Sequence, residues 1–129
     1  MVKEIKLSQR KGAYKIEAKV LMVGEDIVVL IWGGPKSHVG AVALAVPRPS
    51  LKNSTKISAT SSVLTRLGHK EDEIVKRVSE SISGALNKVV VVSAGIHWDD
   101  IPNEDIRIIQ SVCDELTHRM ISEILKRGI

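Results

Sequence analysis

Three of the four histidines in this 129-residue sequence stand where loops meet predicted core elements. His38 lies in a glycine-rich turn, His69 precedes a lysine and two acids, and His97 is followed by a tryptophan and two aspartates. An imidazole can ligate a metal ion, transfer a proton or hydrogen-bond the polar edge of a ligand. We therefore expect the three loops to come together and hold a small anionic ligand.

The loop around His38 is punctuated by glycines. It connects two predicted strands and includes Trp32, Gly33, Gly34 and Gly40. Glycine lets the backbone approach a ligand closely and exposes its N–H groups. The loop is neither a Walker A motif nor a dinucleotide-binding fingerprint, and no predicted helix follows it. A plain turn is the alternative, because glycine and proline dominate turns in general.

His69 stands at the predicted start of a helix, followed by Lys70 and Glu71. Free N–H groups at a helix start, beside a lysine and a histidine, can bind an anion. The acids Glu71 and Asp72 argue against a phosphate on that first turn, and they suit a metal, a hydroxyl or a ring N–H instead. The alternative is that both acids only complement the helix dipole.

His97 and Asp99 lie in a loop that leaves a predicted strand and enters the second helix. A histidine with nearby carboxylates can ligate a divalent metal or act as acid and base. Alternatively, the aspartates shape the turn while Trp98 packs. His118 falls in the exposed register of the second helix and is predicted to be a surface residue. The sequence has no Gly-x-Ser-x-Gly, Cys-x-x-Cys or His-Glu-x-x-His motif, so no hydrolase or redox enzyme is indicated.

The charge distribution favours an anionic ligand. Residues 27–70 include no Asp or Glu but six basic residues, Lys36, Arg48, Lys52, Lys56, Arg66 and Lys70. Such a stretch can attract a phosphate or a carboxylate. Within it, Arg48 and hydroxyls such as that of Ser61 could hydrogen-bond phosphate oxygens. Alternatively, the basic stretch is only a moderately basic surface without a specific ligand, and the segment with Arg48 and Ser61 is an ordinary polar loop.

Hydrophobic periodicity predicts the elements that position these loops. Strands are predicted over residues 5–8, 14–20, 27–32, 40–46 and 88–93, the first two by alternation and the others by apolar runs. Helices are predicted from near residue 71 to 86 and from Asn103, as the cap, to about 127. Residues 47–70 are predicted as a long polar connection. The fold class is therefore α+β, a single sheet of about five strands in the order ββββαβα with two helices on one face.

Two helices can cover only one face of such a sheet. The strands predicted over 27–32, 40–46 and 88–93 are apolar on both faces, as expected of strands covered on both sides. A second subunit covering the other face is the simplest interpretation, so we expect a homo-oligomer.

Composition excludes several classes of protein. Hydrophobic residues make up 43% and charged residues 26%, as in globular proteins, and 129 residues suffice for one domain, 1–129. With aromatics at 2%, stacking platforms for single-stranded nucleic acid are scarce. Nucleic-acid binding, suggested by the pI of 9.3, ranks lowest because the basic stretch coincides with loops. No segment approaches the roughly 18 apolar residues of a membrane helix. Cys113 is predicted to be a buried thiol, and we expect a cytoplasmic protein.

The three histidine loops resemble a known family. The sequence is similar to the prenylated flavin chaperones, the LpdD-like domain, small proteins that accompany UbiD-type decarboxylases. The similarity covers nearly the whole chain in order and length. It lies in three short segments: 32–40 with its glycines and His38, 68–72 (Gly-His-Lys-Glu-Asp) and 95–99 (Gly-Ile-His-Trp-Asp).

The resemblance implies a non-enzymatic chaperone that binds reduced prenylated flavin mononucleotide, or ordinary FMN, and delivers it to a UbiD-type decarboxylase apoenzyme. The matching positions imply a binding set of His38, His69, Lys70, Glu71, His97 and Asp99, within loops that also contain Trp32, Gly33, Gly34 and Gly40. A phosphate role for Arg48 and Ser61 follows from chemistry and not from the family. Trp32 or Trp98 could supply an apolar face for the ring.

The chief rival is a small metal-dependent enzyme. It would use His38, His69 and His97 with Asp99 or Glu71 as ligands of a divalent ion. The absence of a catalytic signature elsewhere in the sequence favours binding over turnover, whereas a metal beside the cofactor stays open at this point.

Overall fold

The structure, a computed structural model, describes residues 3–128. Six strands form one sheet: β1 (Lys3–Lys11), β2 (Tyr14–Val23), β3 (Asp26–Gly33), β4 (Ala41–Pro49), β5 (Ile57–Thr65) and β6 (Val90–Ile96). Helix α1 (Asp72–Leu86) precedes β6, and helix α2 (Ile106–Lys126) follows it after a 3₁₀ turn over Asn103–Asp105.

The strand order in the sheet is β1-β2-β3-β6-β4-β5. Strand β6 lies between β3 and β4, parallel to β3 and antiparallel to β4, and every other pair is antiparallel. Because β3 and β6 run in the same direction, they end at the same edge of the sheet, with Gly33 opposite Ile96. The loops that follow these two strands therefore start side by side.

Both helices pack on one face of the sheet. Helix α1 lies against β4, β5 and β6, and α2 lies against β1 and β2. The core between sheet and helices is aliphatic and includes Ile16, Val29, Val92, Ile82 and Leu116, all fully buried. Each such side chain contributes about 1.5–3 kcal/mol through removal from water. The α+β class and the placement of both helices on one face are as the sequence predicts.

Cys113 lies on the buried face of α2, as its position in the apolar stripe predicts. Burial raises the pKa of its thiol to about 12. The thiolate is therefore not populated at neutral pH, and Cys113 acts as a small apolar side chain.

Strand β5 is the main departure from the predicted elements, because it lies within the stretch 47–70 that the pattern predicts as a connection. It pairs with β4 from Pro49 opposite Ile57 to Ala41 opposite Thr65. It is an edge strand with a single buried side chain, Ala59, and its serines and threonines show no apolar alternation. The prolines of β4 are tolerated because β4 pairs with β6 only as far as Ala45.

The second helix also starts differently from its prediction. Asn103 lies inside the 3₁₀ turn and is not the cap, since the turn is preceded by Pro102 and the α-helix by Asp105. The first helix begins where the pattern places it, directly after Glu71.

The face of the sheet opposite the helices carries exposed apolar side chains. Leu30, Leu44 and Val46 project from it with 37%, 43% and 48% of their surface exposed. They belong to the strands whose sequences are apolar on both faces. The second subunit that would cover them remains a prediction.

Candidate functional site

The loop after β3 and the loop after β6 are joined by backbone hydrogen bonds. The N–H of His97 donates to the carbonyl of Gly33 at 3.1 Å, and the N–H of Gly40 donates to the carbonyl of Ala94 at 2.9 Å. Two further bonds continue this connection toward helix α1. The N–H of Arg66 donates to Gly40 at 2.9 Å, and that of His69 donates to Arg66 at 3.0 Å. The three histidine loops therefore lie at one edge of the sheet.

Glycines allow these segments to approach so closely. A Cβ atom on Gly95 would overlap the carbonyl oxygen of His38, and one on Gly40 would overlap the carboxylate of Glu71. Gly34 has a φ of +88°, and a Cβ there would overlap the carbonyl of His97. The glycines of the segments 32–40 and 95–99 thus set the spacing between the histidine loops.

A buried carboxylate lies between two histidines. Glu71, at the start of α1, is only 6% exposed. Its Oε1 lies 3.2 Å from Nε2 of His38, and its Oε2 lies 3.5 Å from Nδ1 of His69. The two imidazole rings are 5.1 Å apart between centroids. Oε2 has no hydrogen-bond partner within residues 3–128. We name these three side chains the His–His–Glu cluster.

His97 belongs to the site but not to that cluster. Its side chain is 52% exposed, and its Nε2 lies 2.8 Å from Oδ1 of Asp99, which is itself 79% exposed. His97 nevertheless lines a cavity of about 280 Å³ together with the other two site histidines and two cations, Lys36 and Arg66. This basic cavity is thus bordered by all three histidines.

A larger apolar cleft adjoins the cluster between the starts of the two helices. It has a volume of about 580 Å³ and shares His69 and His97 with the basic cavity. Its apolar wall is formed by Ile74, Ile96, Trp98, Ile101, Ile106 and Ile109. Lys70, which is exposed, and Glu71 also border it. The cleft therefore combines an apolar wall with a polar end that carries two imidazoles, Lys70 and the carboxylates of Glu71 and Glu73.

Trp98 is held in place by Tyr14. The two rings meet edge to face, with centroids 5.1 Å apart. The Tyr14 hydroxyl donates a hydrogen bond to Asp105 at 2.5 Å, and this bond, with burial and the nearby negative charge, raises the pKa of Tyr14 above its ordinary value. A tryptophan fixed in this way presents a rigid apolar surface to the cleft.

Trp32, Gly33 and Gly34 lie on the neighbouring side of Trp98. They line a separate cavity of about 260 Å³ that Trp98 also borders. The Trp32 indole donates a hydrogen bond to Glu17 at 3.0 Å. Of the two tryptophans, Trp98 lines the apolar cleft.

Arg48 and Ser61 lie away from the histidine loops. Arg48 is seven residues along β4 from Ala41, about 23 Å at the usual rise of an extended chain, and its Nε donates to Thr60 at 2.6 Å. Ser61 points to the helix side of the sheet and donates to Glu80 at 2.5 Å. Both residues belong to the β4–β5 pair, whose register directs them elsewhere, so the structure does not bring them to the site.

Two cations of the site, Lys36 and Arg66, are not in the set that sequence reasoning singles out. Both belong to the acid-free stretch, and Lys36 stands between Gly34 and His38. The isoleucines of the cleft carry no local signal, because those in α1, β6 and α2 resemble core residues of these elements and Ile101 stands alone in a loop. Only the packing shows that they border a cleft.

Comparison with known proteins identifies the family. Residues 10–125 match the family described as the prenylated flavin chaperone LpdD-like domain. The chain belongs to this family. The LpdD-like chain is also 23% identical over 112 residues to Protein LpdD of Lactiplantibacillus plantarum, with 87% of this chain and 79% of that protein aligned.

The fold of the LpdD-like chain also occurs in solved structures of very different sequence. A chain from a chaperone complex for yeast 20S proteasome assembly superposes with a TM-score of 0.64 at 13% identity, covering 95% of this chain and 97% of that one. This likeness concerns the fold alone. The predicted membership of the family is confirmed, and the description of the family as a chaperone agrees with the expectation of an accessory protein that is not an enzyme.

Within residues 3–128 of this LpdD-like domain, neither helix has the length and apolar character needed to cross a membrane.

Proposed function

We propose that this LpdD-like chaperone binds reduced prenylated FMN in the apolar cleft and delivers it to the apoenzyme of a UbiD-type decarboxylase. The observation that carries the proposal is the junction of the cleft with the basic cavity at His69 and His97. A flavin mononucleotide has the same two parts, an apolar ring system with a polar edge and an anionic phosphate.

The residues of the cleft fit the chemistry of this cofactor. A volume of about 580 Å³ lies within the roughly 300–1,000 Å³ that is usual for small-molecule sites. Trp98 and the isoleucines would contact the ring. Lys36 and Arg66 would hold the phosphate through charge-assisted hydrogen bonds. The imidazoles would hydrogen-bond the heteroatom edge of the ring.

The exposure of the site supports delivery. His97 borders the cleft, and its side chain and that of the neighbouring Asp99 are largely exposed, so the bound molecule would have a path to solvent and to a partner. When bound to its enzyme, the cofactor supplies the electron-sink chemistry of decarboxylation. In the chaperone, the residues of this chain would bind and orient it.

Anaerobic fluorescence titration tests binding. The chain has two tryptophans, so Trp32→Phe leaves Trp98 as the single reporter and Trp98→Phe leaves Trp32. We expect reduced prenylated FMN to quench the Trp32→Phe protein much more strongly. Lys36→Ala combined with Arg66→Ala should weaken binding of the mononucleotide at least tenfold and leave binding of the dephosphorylated flavin nearly unchanged. Absence of binding of either prenylated or ordinary reduced FMN would overturn the proposal.

Delivery is tested separately from binding. The loaded chaperone is mixed with a UbiD-type apoenzyme, and the decarboxylase activity regained is compared with that given by the same amount of free cofactor. We expect faster and more complete activation from the loaded chaperone. Equal activation by free cofactor would remove the delivery step while leaving binding intact.

We also propose that the protein acts in the cytoplasm as a homo-oligomer. Its single thiol is buried and needs no oxidising compartment. The exposed Leu30, Leu44 and Val46 lie at the centre of the open sheet face, and the outward residues of the β1–β2 pair, such as Glu17 and Lys19, carry both charge signs. An apolar patch with such a border can pair with a second copy about a twofold axis. Light scattering should give at least a dimeric mass, and Leu44→Glu should reduce it to the monomer.

A further inference from the structure

We infer that His38, His69 and Glu71 bind a divalent transition-metal ion at the border between the basic cavity and the apolar cleft. One donor atom from each of these three side chains lies within 4.8 Å of the other two. Two histidines and one carboxylate are a set of ligands that suits first-row divalent ions and leaves coordination positions open. The inference concerns the protein without its flavin and does not depend on the proposed function.

The hydrogen bonding of His38 prepares one of its nitrogens for a metal. Its Nδ1 lies 2.9 Å from the carbonyl oxygen of Lys36. A carbonyl can only accept, so the hydrogen of the neutral ring is on Nδ1. The lone pair is then on Nε2, which faces Glu71. Histidines that ligate metals commonly donate their other N–H to a backbone carbonyl in this way.

The unpartnered carboxylate oxygen of Glu71 also favours a metal ion at this place. The carboxylate is more than nine-tenths buried, and its Oε2 lacks a hydrogen-bond partner among the residues that the structure describes. A buried anion without compensation is costly. In the same part of the chain, the only cation-forming groups within ion-pair distance of Glu71 are His38 and His69. A metal ion bound by these side chains would supply the missing positive charge.

The surroundings leave room for a fourth ligand. His38 and His69 both line the basic cavity, so the open positions of the ion would face that cavity. Gly40 also contributes, since a Cβ at this position would occupy the place of the Glu71 carboxylate. His97 is not one of the three ligands, because only donor atoms of His38, His69 and Glu71 lie within 4.8 Å of one another.

Metal titration of the flavin-free protein tests the inference. After treatment with a chelator and its removal, the full chain is titrated with Co²⁺, followed by its visible absorption, and with Zn²⁺ or Mn²⁺ by calorimetry. We expect one ion per chain for at least one of these metals. His38→Ala, His69→Ala and Glu71→Gln should each weaken binding at least tenfold. His118→Ala, exposed on α2, should bind as the unaltered protein does, which makes it the matched control for loss of a histidine.

The possible outcomes separate the inference from its alternatives. If the unaltered protein binds none of the three metals, or if Glu71→Gln binds as tightly as the unaltered protein, the inference is wrong. Circular dichroism and thermal unfolding of Glu71→Gln show whether any loss of binding reflects misfolding. Flavin binding without metal binding would leave the proposed function standing, and metal binding without flavin binding would leave this inference standing.

Discussion

Nε2 of His38 lies 3.2 Å from Oε1 of Glu71, while Nδ1 of the same ring lies 2.9 Å from the carbonyl oxygen of Lys36. With a neutral ring, two acceptors face each other, because the single ring hydrogen is directed to the carbonyl. A metal ion bound between the imidazole and the carboxylate would resolve this contact. Replacing the carboxylate by an amide would also remove this contact between two acceptors.

Glu71→Gln should stabilise the protein in the presence of a chelator. The substitution removes a buried charge and adds an amide N–H that can donate to a histidine nitrogen, a gain of about 1–3 kcal/mol. It also removes a negative charge from the start of α1, which costs about 0.3–1 kcal/mol, so the first effect is larger. Denaturant unfolding measures the difference. Glu73→Gln, exposed in the first turn of the same helix, is the control and should be neutral or slightly destabilising. A less stable Glu71→Gln protein would contradict the prediction.

Gly95→Ala should disrupt the site and destabilise the fold. The added methyl group would overlap the backbone carbonyl of His38, which must move, and overpacking of this kind costs about 1–3 kcal/mol. Gly84→Ala is the matched substitution. In helix α1 its Cβ would meet its nearest neighbours at 3.8 Å, an ordinary contact, and alanine favours the helix by about 1 kcal/mol. Thermal unfolding should therefore shift in opposite directions for the two proteins. Equal shifts would show that the approach of the His38 loop to β6 is not tight.

The single tyrosine should ionise at unusually high pH. The hydrogen bond from Tyr14 to Asp105 is the largest cause that raises its pKa, followed by burial and the charge of Asp105. Because the folded-state value is raised, the associated stability is present below the ordinary tyrosine pKa and is lost as pH rises through the folded value. Ultraviolet absorbance of tyrosinate follows the titration. Asp105→Asn should bring the midpoint back toward that of free tyrosine, and an unchanged midpoint would contradict the assignment.

Ser61→Ala should reduce stability at neutral pH more than at acidic pH. Partial burial raises the pKa of Glu80, but hydrogen bonds from Ser61 and Lys76, together with nearby positive charges, outweigh it and lower the pKa overall. A lowered folded-state pKa contributes stability above the ordinary glutamate value, and this is lost as pH falls through the folded value. Loss of the Ser61 donor should remove part of this contribution, less than about 1 kcal/mol because the group is partly exposed. Unfolding curves at several pH values measure it. Ser62→Ala, outward and exposed on the same strand, should show no such pH dependence.

Strong periodicity made much of the fold predictable. The alternation in β2 and the apolar stripe of α2, with buried residues such as Leu116 and Met120, depend on local spacing that the sequence displays directly. Strand β5 lacks such a pattern because an edge strand buries few side chains, and because its hydroxyl side chains are equally common in loops. Because strand β5 is not predicted, the positions of Arg48 and Ser61 away from the site are not predicted either. Their orientation depends on the register of β5 against β4, which composition does not encode.

The site was predictable in its residues more than in its geometry. The three histidines stand beside glycines at the ends of predicted elements, and the structure brings their loops to one edge of the sheet. Sequence reasoning cannot distinguish the buried Glu71 from the exposed Asp72 next to it, because both are suitable acids for a helix start. It also cannot show that His97 pairs with Asp99 and leaves Glu71 to the other two histidines, since this depends on side-chain directions after packing.

The central position of β6 has a consequence for how the protein folds. Without β6, residues 3–33 form a three-stranded meander and residues 41–65 a separate hairpin, and no ladder links these two units. The chain must therefore reach residue 96 before the sheet becomes continuous. The His38 and His97 loops lie next to the pairs that β6 makes with β3 and β4. The site therefore cannot form before the whole sheet has assembled. Ligand binding should therefore slow hydrogen exchange throughout β3, β6 and β4. Binding would then report on folding of the whole sheet and not on the order of one local segment.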